Sequence, residues 1–326
     1  MSYPKPIRIA LLGIGRIAQK AYLPLLRAWP GVEIVSVCSR TSESAQHTCA
    51  EWKIKHGTTE IEAMLDQKPQ AVFVLSPTDL HAEHTRLLLE AGMDVFLEKP
   101  ATETAQLIWD LTALAREKER ILMVGFNRRF SLLYKQARDI LGDRPVQMCI
   151  AEKHRPSAYY VSLYNYYLDD IIHQIDLLRF FCGELEPLHT AFQMKDGRVA
   201  WTACSMQRED GGAALLQTSL AAGTWQERIT LHGDGMTIEV DAFRELRVKI
   251  GNKVEVYGQD RPGRWVSAME ERGFTGQVSE FFNCLETRQQ PSADGANAAR
   301  SQELVEKIVS GAGESTTLIP FDQPYA

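Results

Sequence analysis

The chain has 326 residues, 44% of them hydrophobic and 24% charged. That length allows two domains or one large one, with a core big enough to need no disulfide or metal staple. Lys and Arg total 36 against 42 Asp and Glu, and the net charge of −6 excludes the broad basic face of a nucleic-acid binder, though not a local basic pocket.

The opening Met-Ser-Tyr-Pro-Lys-Pro lacks an apolar signal core, and no apolar run nears the roughly 18 residues of a membrane helix. The six cysteines (38, 49, 149, 182, 204, 284) form no CxxC pair. The expectation is a cytoplasmic protein with reduced thiols, no membrane partner and no nucleic-acid partner.

The first ~125 residues alternate strand and helix signals. Ile7–Leu12 is a short apolar run between Pro6 and Gly13, the pattern of a buried parallel strand. A helix follows with Ala18, Ala21, Tyr22, Leu25 and Leu26 on one face, and Pro24 predicts a kink. Strands are predicted at Ile34–Cys38, Ala71–Leu75, Asp94–Leu97 and Ile121–Gly125. Helices are predicted at Ser42–Trp52, Glu60–Leu65, His81–Ala91 (ended by Gly92) and Thr102–Glu119. Strands separated by helices imply βαβ crossovers and a parallel sheet.

The pattern changes near Phe126. After helices at Leu132–Leu141 and around Asp169, and a half-buried strand at Val146–Glu152, come seven β segments between Leu188 and Tyr257. Their short, turn-rich links (Asp196-Gly197, Gly233-Asp234-Gly235, Gly251-Asn252) favour antiparallel neighbours. Two helices close the chain, near Gln277–Thr287 and Asn297–Ser310. The expected organisation is an α/β cofactor domain over 1–125 and an α+β domain with an open, mostly antiparallel sheet over 126–326.

Gly13-Ile14-Gly15-Arg16-Ile17-Ala18 follows the first strand and opens the first helix. Gly13 permits the tight turn, Gly15 lets the backbone approach a pyrophosphate, and Ala18 allows close helix–strand packing. A strand–turn–helix context makes this string a dinucleotide-binding signal. The second strand ends in Cys38-Ser39-Arg40-Thr41-Ser42, with no carboxylate before Glu43. An acid there would hold a ribose 2′-hydroxyl, whereas Ser39, Arg40 and Thr41 suit a 2′-phosphate. NADP(H) is therefore preferred; the alternative, in which Arg40 stacks on adenine and NAD(H) also fits, stays open.

Glu98-Lys99-Pro100 ends a strand at its carboxyl end, where ligands bind in open α/β sheets. A partly desolvated Lys99 there can donate or relay a proton. On the later helix, Asp169, His173 and Asp176 fall within about a 60° sector, opposite Leu168, Ile171, Ile172, Ile175 and Leu178. That spacing lets Asp169 orient and charge-stabilise His173 for acid–base work. Two carboxylates and a histidine also evoke a metal, but no other ligand cluster supports one.

These motifs, together with Ser76-Pro77-Thr78 and His81, resemble the Gfo/Idh/MocA oxidoreductase family over essentially the whole chain. Gly125-Phe126-Asn127-Arg128-Arg129-Phe130 and Lys153-His154-Arg155 resemble its MviM-like branch. The resemblance implies an N-terminal Rossmann-type domain, a nicotinamide cofactor and a sugar, inositol or related polyol substrate. It implies Lys99 as catalytic lysine, His173 as its proton-transferring partner, Asp169 as the acid one turn earlier and Asp176 as a structural acid. The sequence departs from the family at Ile171, where Gly is common. The expected cofactor-binding set is Gly13, Gly15, Arg16, Ile17, Ser39, Arg40, Thr41, Ser76, Pro77, Thr78, His81, Glu98, Lys99 and Asn127.

Tyr159, Tyr160, Tyr164, Tyr166 and Tyr167 crowd the approach to the Asp169 helix. Aromatic faces with hydroxyl tips suit a sugar-like ligand, and packing or a subunit contact serves equally. Tyr160, Tyr164, Arg128 and Lys153 are the expected substrate residues. Trp201 and Trp225 mark a candidate homo-oligomer face (dimer or tetramer). A rival reading, a dinucleotide-binding sensor with little turnover, predicts cofactor binding without oxidation or reduction of any substrate.

Overall fold

The computed structural model describes residues 6–258 and 266–319. Two compact units emerge, dividing after Gly125, with Phe274–Ala299 returning to the first and the residues from Arg300 onward belonging to the second.

The first unit is built on a six-stranded parallel sheet. Its strands are β1 (Ile7–Leu12), β2 (Val32–Cys38), β3 (Gly57–Thr58), β4 (Ala71–Val74), β5 (Asp94–Leu97) and β6 (Leu122–Val124), in the order β3-β2-β1-β4-β5-β6. Every residue of β4 and β5 is buried, which is why these strands read as unbroken apolar runs. The order reverses between β1 and β4, so a ligand crevice belongs at their carboxyl ends.

Pro24 does not kink an α-helix as expected. A π turn over Ala18–Tyr22 resets the ladder, and Pro24 falls in the first turn of a new segment, Leu23–Arg27, where its missing N–H costs little. Gly92 ends the helix His81–Glu90 with φ of 76°.

The helix Phe274–Thr287 completes this unit. Phe281 packs edge-on to Phe73 and Phe96, each at 5.5 Å, and Trp29 meets Phe282 at 5.4 Å. Beyond it, Val124 N donates to Ala293 O at 2.8 Å, closing the β6 edge. Arg288 grips the buried Asp94 with two bonds of 2.7 and 3.0 Å. Periodicity placed this helix in the second half, but its apolar face is spent on the first sheet.

The second unit carries an eight-stranded sheet. Its strands are β7 (Met148–His154), β8 (Glu186–Lys195), β9 (Arg198–Gln207), β10 (Ala213–Ser219), β11 (Gln226–Gly233), β12 (Met236–Asp241), β13 (Glu245–Ile250) and β14 (Lys253–Gly258). The order is β14-β13-β12-β11-β7-β10-β9-β8. The hairpins are antiparallel, but β7 and β10 pair in parallel. The intervening helices and the β8–β9 hairpin supply the long crossover that a parallel pair needs. Asp196 and Gly197, with φ of 52° and 72°, make the two-residue primed turn between β8 and β9. Along β7, Cys149, Ala151 and Lys153 are buried and alternate with more exposed residues, so one face packs against the helix Ile172–Cys182.

Candidate active site

In the first unit, the glycine turn fits a dinucleotide diphosphate. Gly13 has φ of 92°, and an added Cβ would lie 2.4 Å from the Ser76 nitrogen, so no side chain is tolerated there. At Gly15 an added Cβ meets nothing within 4 Å, leaving an open cradle in front of the helix start. Arg16 and Ile17 are exposed beside it. At the end of β2, Ser39 N is tied to Thr58 O at 3.0 Å and Arg40 is exposed. Thr41 caps the helix Ser42–Trp52, its Oγ1 accepting from Ser44 N at 3.3 Å.

The loops after β4 and β5 hold the next group. Ser76 Oγ meets His84 Nδ1 at 3.0 Å, Pro77 is exposed, and Thr78 starts a short 3₁₀ turn. Lys99 is half-buried and is joined to Pro100 by a cis peptide. Two residues expected to touch the cofactor turn inward instead. Glu98 is buried and bonded to Tyr22 and to Lys99 N, each at 2.7 Å. His81 is buried with its ring nitrogens 2.9 Å from Pro100 O and 2.7 Å from Ser76 O. Burial lowers its pKa against the pull of those two carbonyls.

In the second unit, the helix carrying Asp169 and His173 is an α segment (Leu163–Tyr166), a π turn (Tyr167–Ile171) and a second α segment (Ile172–Cys182). The π turn adds a residue to the turn that carries Asp169, so the stretch is not one uninterrupted α-helix. The helix is buried on nearly all sides, and its acids take different partners. Asp169 is half-buried and accepts a 2.6 Å bond from Tyr160 OH. His173 is 7% exposed. Asp176 is fully buried in a bidentate pair with Arg129. Asn127, at the start of this unit, is buried and donates from Nδ2 to Arg272 O at 2.8 Å.

Three expected substrate residues are taken up inside the unit. Lys153 is 1% exposed, donating to Asp170 O at 2.8 Å and facing Asp170 Oδ1 at 2.8 Å. Glu227 pairs with it directly across the β7–β11 ladder, 3.9 Å from the ammonium. Arg128 completes the chain with bonds of 2.7 and 3.3 Å to Glu227, and Arg155 grips Asp170 from the other end. Tyr164 is fully buried, donating to Glu306 at 3.2 Å. Buried charges need such partners, and here strand pairing brings them. Tyr166 and Tyr167 are likewise core residues, and Trp225 stacks on Phe243 at 5.9 Å.

This chain of charges sets an acid limit on stability. Burial pushes Asp170 up, but Lys153 and Arg155 outweigh it and hold the carboxyl at about 2, below its usual 3.8. Glu227 is also held down, chiefly by Arg128 and then Lys153 against its burial. Depressed carboxyl pKa values stabilise the fold above the unfolded value, and that gain disappears as pH falls through about 4 towards 2. Acid titration followed by near-ultraviolet circular dichroism is expected to show loss of tertiary signal in that window. The limb should shrink in Asp170→Asn.

A cavity of about 390 Å³ in the second unit is lined by Arg138, Arg144, Arg179 and Arg208. Three of these arginines already serve structure. Arg179 holds Glu184 and Ser301, Arg208 holds Asp210, and Arg144 caps the carbonyls of Ile140 and Leu141. Among the described residues no cluster of three or more His, Cys, Asp or Glu is arranged to hold a metal. No described helix is long and apolar enough to cross a membrane.

A parallel sheet with its glycine turn at the switch point is the arrangement of a dinucleotide-binding unit. Residues 7–126 match the model of an oxidoreductase family with an NAD-binding Rossmann fold. YceM of Salmonella typhimurium, an oxidoreductase by name, is 30% identical over 309 residues, covering 93% of this chain and 97% of its own. Inositol 2-dehydrogenase of Rhizobium meliloti is 24% identical over 326 residues, 94% and 97% of the two chains. The crystal structure of the dehydrogenase MviM from Clostridium difficile matches with a TM-score of 0.85 and 25% identity, over 93% of this chain and 99% of that one. The chain belongs to the Gfo/Idh/MocA family and is an NAD(P)-dependent oxidoreductase.

Proposed function

We propose that this enzyme prefers NADP(H) and interconverts a secondary alcohol and a carbonyl on a sugar, polyol or derivative. The observation that carries the reading is Lys99, half-buried at the carboxyl end of β5 in the same unit as the open Gly15 cradle. The bound nicotinamide supplies hydride acceptance or donation. Lys99 then manages the proton of the substrate oxygen together with His173, and Asp169, held by Tyr160, orients that histidine. The first unit, residues 1–125 with Phe274–Ala299, serves the cofactor and the β-rich second unit serves the substrate. The names of relatives support the substrate class, since inositol 2-dehydrogenase acts on a cyclic polyol.

Arg40 is the residue assigned to the 2′-phosphate. It is exposed just after β2, in a stretch of the sequence (residues 38–42) that carries no carboxylate to favour a free 2′-hydroxyl. Arg40→Ala is expected to weaken NADPH binding by roughly 10- to 100-fold, the worth of a charged hydrogen bond, and to leave NADH binding nearly unchanged. Fluorescence titration with both cofactors measures this, and tighter NADH than NADPH binding by the unaltered enzyme would overturn the preference. A spectrophotometric screen of sugars, polyols and their acids, with Lys99→Ala as control, tests the reaction.

The enzyme is further assigned as a cytoplasmic homo-oligomer, dimer or tetramer. Leu188 and Trp201, 64% and 38% exposed on the large sheet, support the association, and sedimentation velocity tests it.

A further inference from the structure

We propose that Tyr22 and His81 are positioning residues for Lys99, gripping its main chain from either side so that the ammonium is presented in one place at the end of β5. This rests on the reading of Lys99 given above and extends it to two side chains that do not touch the reacting atoms.

The first grip precedes Lys99. Glu98 Oε2 accepts from Lys99 N at 2.7 Å, while Glu98 Oε1 accepts from Tyr22 OH at 2.7 Å. Tyr22 OH in turn accepts from Gln277 Nε2 at 2.9 Å. Donation thus runs from Gln277 to Tyr22 to Glu98, and the carboxylate holds the lysine's own amide. Tyr22 and Gln277 are fully buried and Glu98 is 7% exposed, so the bonds act in dry surroundings where they are stiff. Burial, and then the charge of Glu98, push the Tyr22 phenol well above its usual range, so it remains a donor. Gly125 leaves the space: a Cβ there would stand 3.3 Å from Glu98 Oε1 and 3.4 Å from Tyr22 OH. A buried carboxylate is a costly occupant of a core position, and here it holds this loop.

The second grip follows Lys99. The His81 ring lies between Pro100 O at 2.9 Å and Ser76 O at 2.7 Å, its N–H donating to one of them when neutral and to both when protonated. Ser76 sits against Gly13, and Tyr22 ends the π turn of the helix that the glycine turn opens. Both grips therefore lead from the glycine turn to Lys99. Misplacing a reacting group by a fraction of an ångström is enough to slow chemistry without weakening binding.

The test pairs steady-state kinetics with competitive trace acetylation of lysines in cofactor-free protein, read peptide by peptide across pH. Tyr22→Phe removes one oxygen and keeps the ring packed on Phe73, Phe96 and Phe274, so the fold is expected to survive, as a thermal melt will show. The expected result is a kcat lower by roughly 10- to 100-fold, with KM and NADPH affinity unchanged. The acetylation profile of Lys99 should shift while that of exposed Lys55 does not. His81→Gln should repeat the pattern. Unaltered kcat and Lys99 acetylation in both variants would overturn the proposal. So would kcat and NADPH affinity falling together, which marks general damage to the cofactor unit. Full turnover in Lys99→Ala would instead overturn the role of Lys99, while the acetylation profile would still decide the grip.

Discussion

Lys99→Ala is expected to lose about 10²- to 10⁴-fold in kcat while binding NADPH as tightly as the unaltered enzyme, because general acid–base assistance contributes on that scale. The cradle for the diphosphate is made of main chain at Gly13 and Gly15, which the substitution does not touch. The main chain on either side of the lysine is held by groups other than its ammonium. Glu98 bonds to Tyr22 and to the Lys99 amide, and His81 bonds to the Pro100 carbonyl. Removing the ammonium therefore removes a proton donor from a loop that keeps its shape. Rapid-mixing turnover and fluorescence titration on the same preparation separate the two quantities. Unchanged turnover would take Lys99 out of the mechanism.

The second large effect concerns stability. Asp176→Ala is expected to cost about 3–5 kcal/mol, the usual penalty for breaking a buried ion pair by deleting one partner. Asp176 is fully buried and Arg129 is 6% exposed, joined by bonds of 2.7 and 2.5 Å. Deleting the carboxylate leaves the buried guanidinium without this counter-charge, 5.6 Å from the Phe180 ring. Urea unfolding followed through the tryptophan signal measures the loss. The double variant Arg129→Met, Asp176→Leu should recover most of it, since neither charge then remains. A loss well under 1 kcal/mol for the single variant would show that the pair is not what holds these elements.

Much of the architecture was legible in the residues. The apolar runs at Ile7–Leu12, Ala71–Val74 and Asp94–Leu97 are strands buried on both faces, and such strands advertise themselves locally. The turn-rich links of the second half correctly implied a large, mostly antiparallel sheet. Gly13 was readable because a backbone turn that forbids a Cβ admits almost no other residue, and Gly15 because it stands two positions on in the same short motif. What escaped were pairings across long stretches of chain. Lys153 and Arg128 looked like ligands for an anionic substrate, because their partner Glu227 lies more than seventy positions later and meets them only through the β7–β11 register. Asp169, His173 and Asp176 read as one polar helix face, whereas the helix is buried on nearly all sides and Asp176 is taken up by Arg129. Tyr22 read as an apolar helix residue, with no local sign that its hydroxyl reaches Glu98.

Length and composition allowed one domain or two, and the sequence by itself determined most of the strands and helices and the glycine turn of the dinucleotide-binding unit. Each of these depends on periodicity or on main-chain geometry within a few residues. Only the tertiary structure decided that Phe274–Thr287 completes the first sheet, that β7 and β10 run parallel, and which charges are buried in pairs. Those outcomes are set by which distant apolar faces and opposite charges can be desolvated together. A buried charge is tolerated only where the fold delivers its partner, so its role is written in two places in the chain at once.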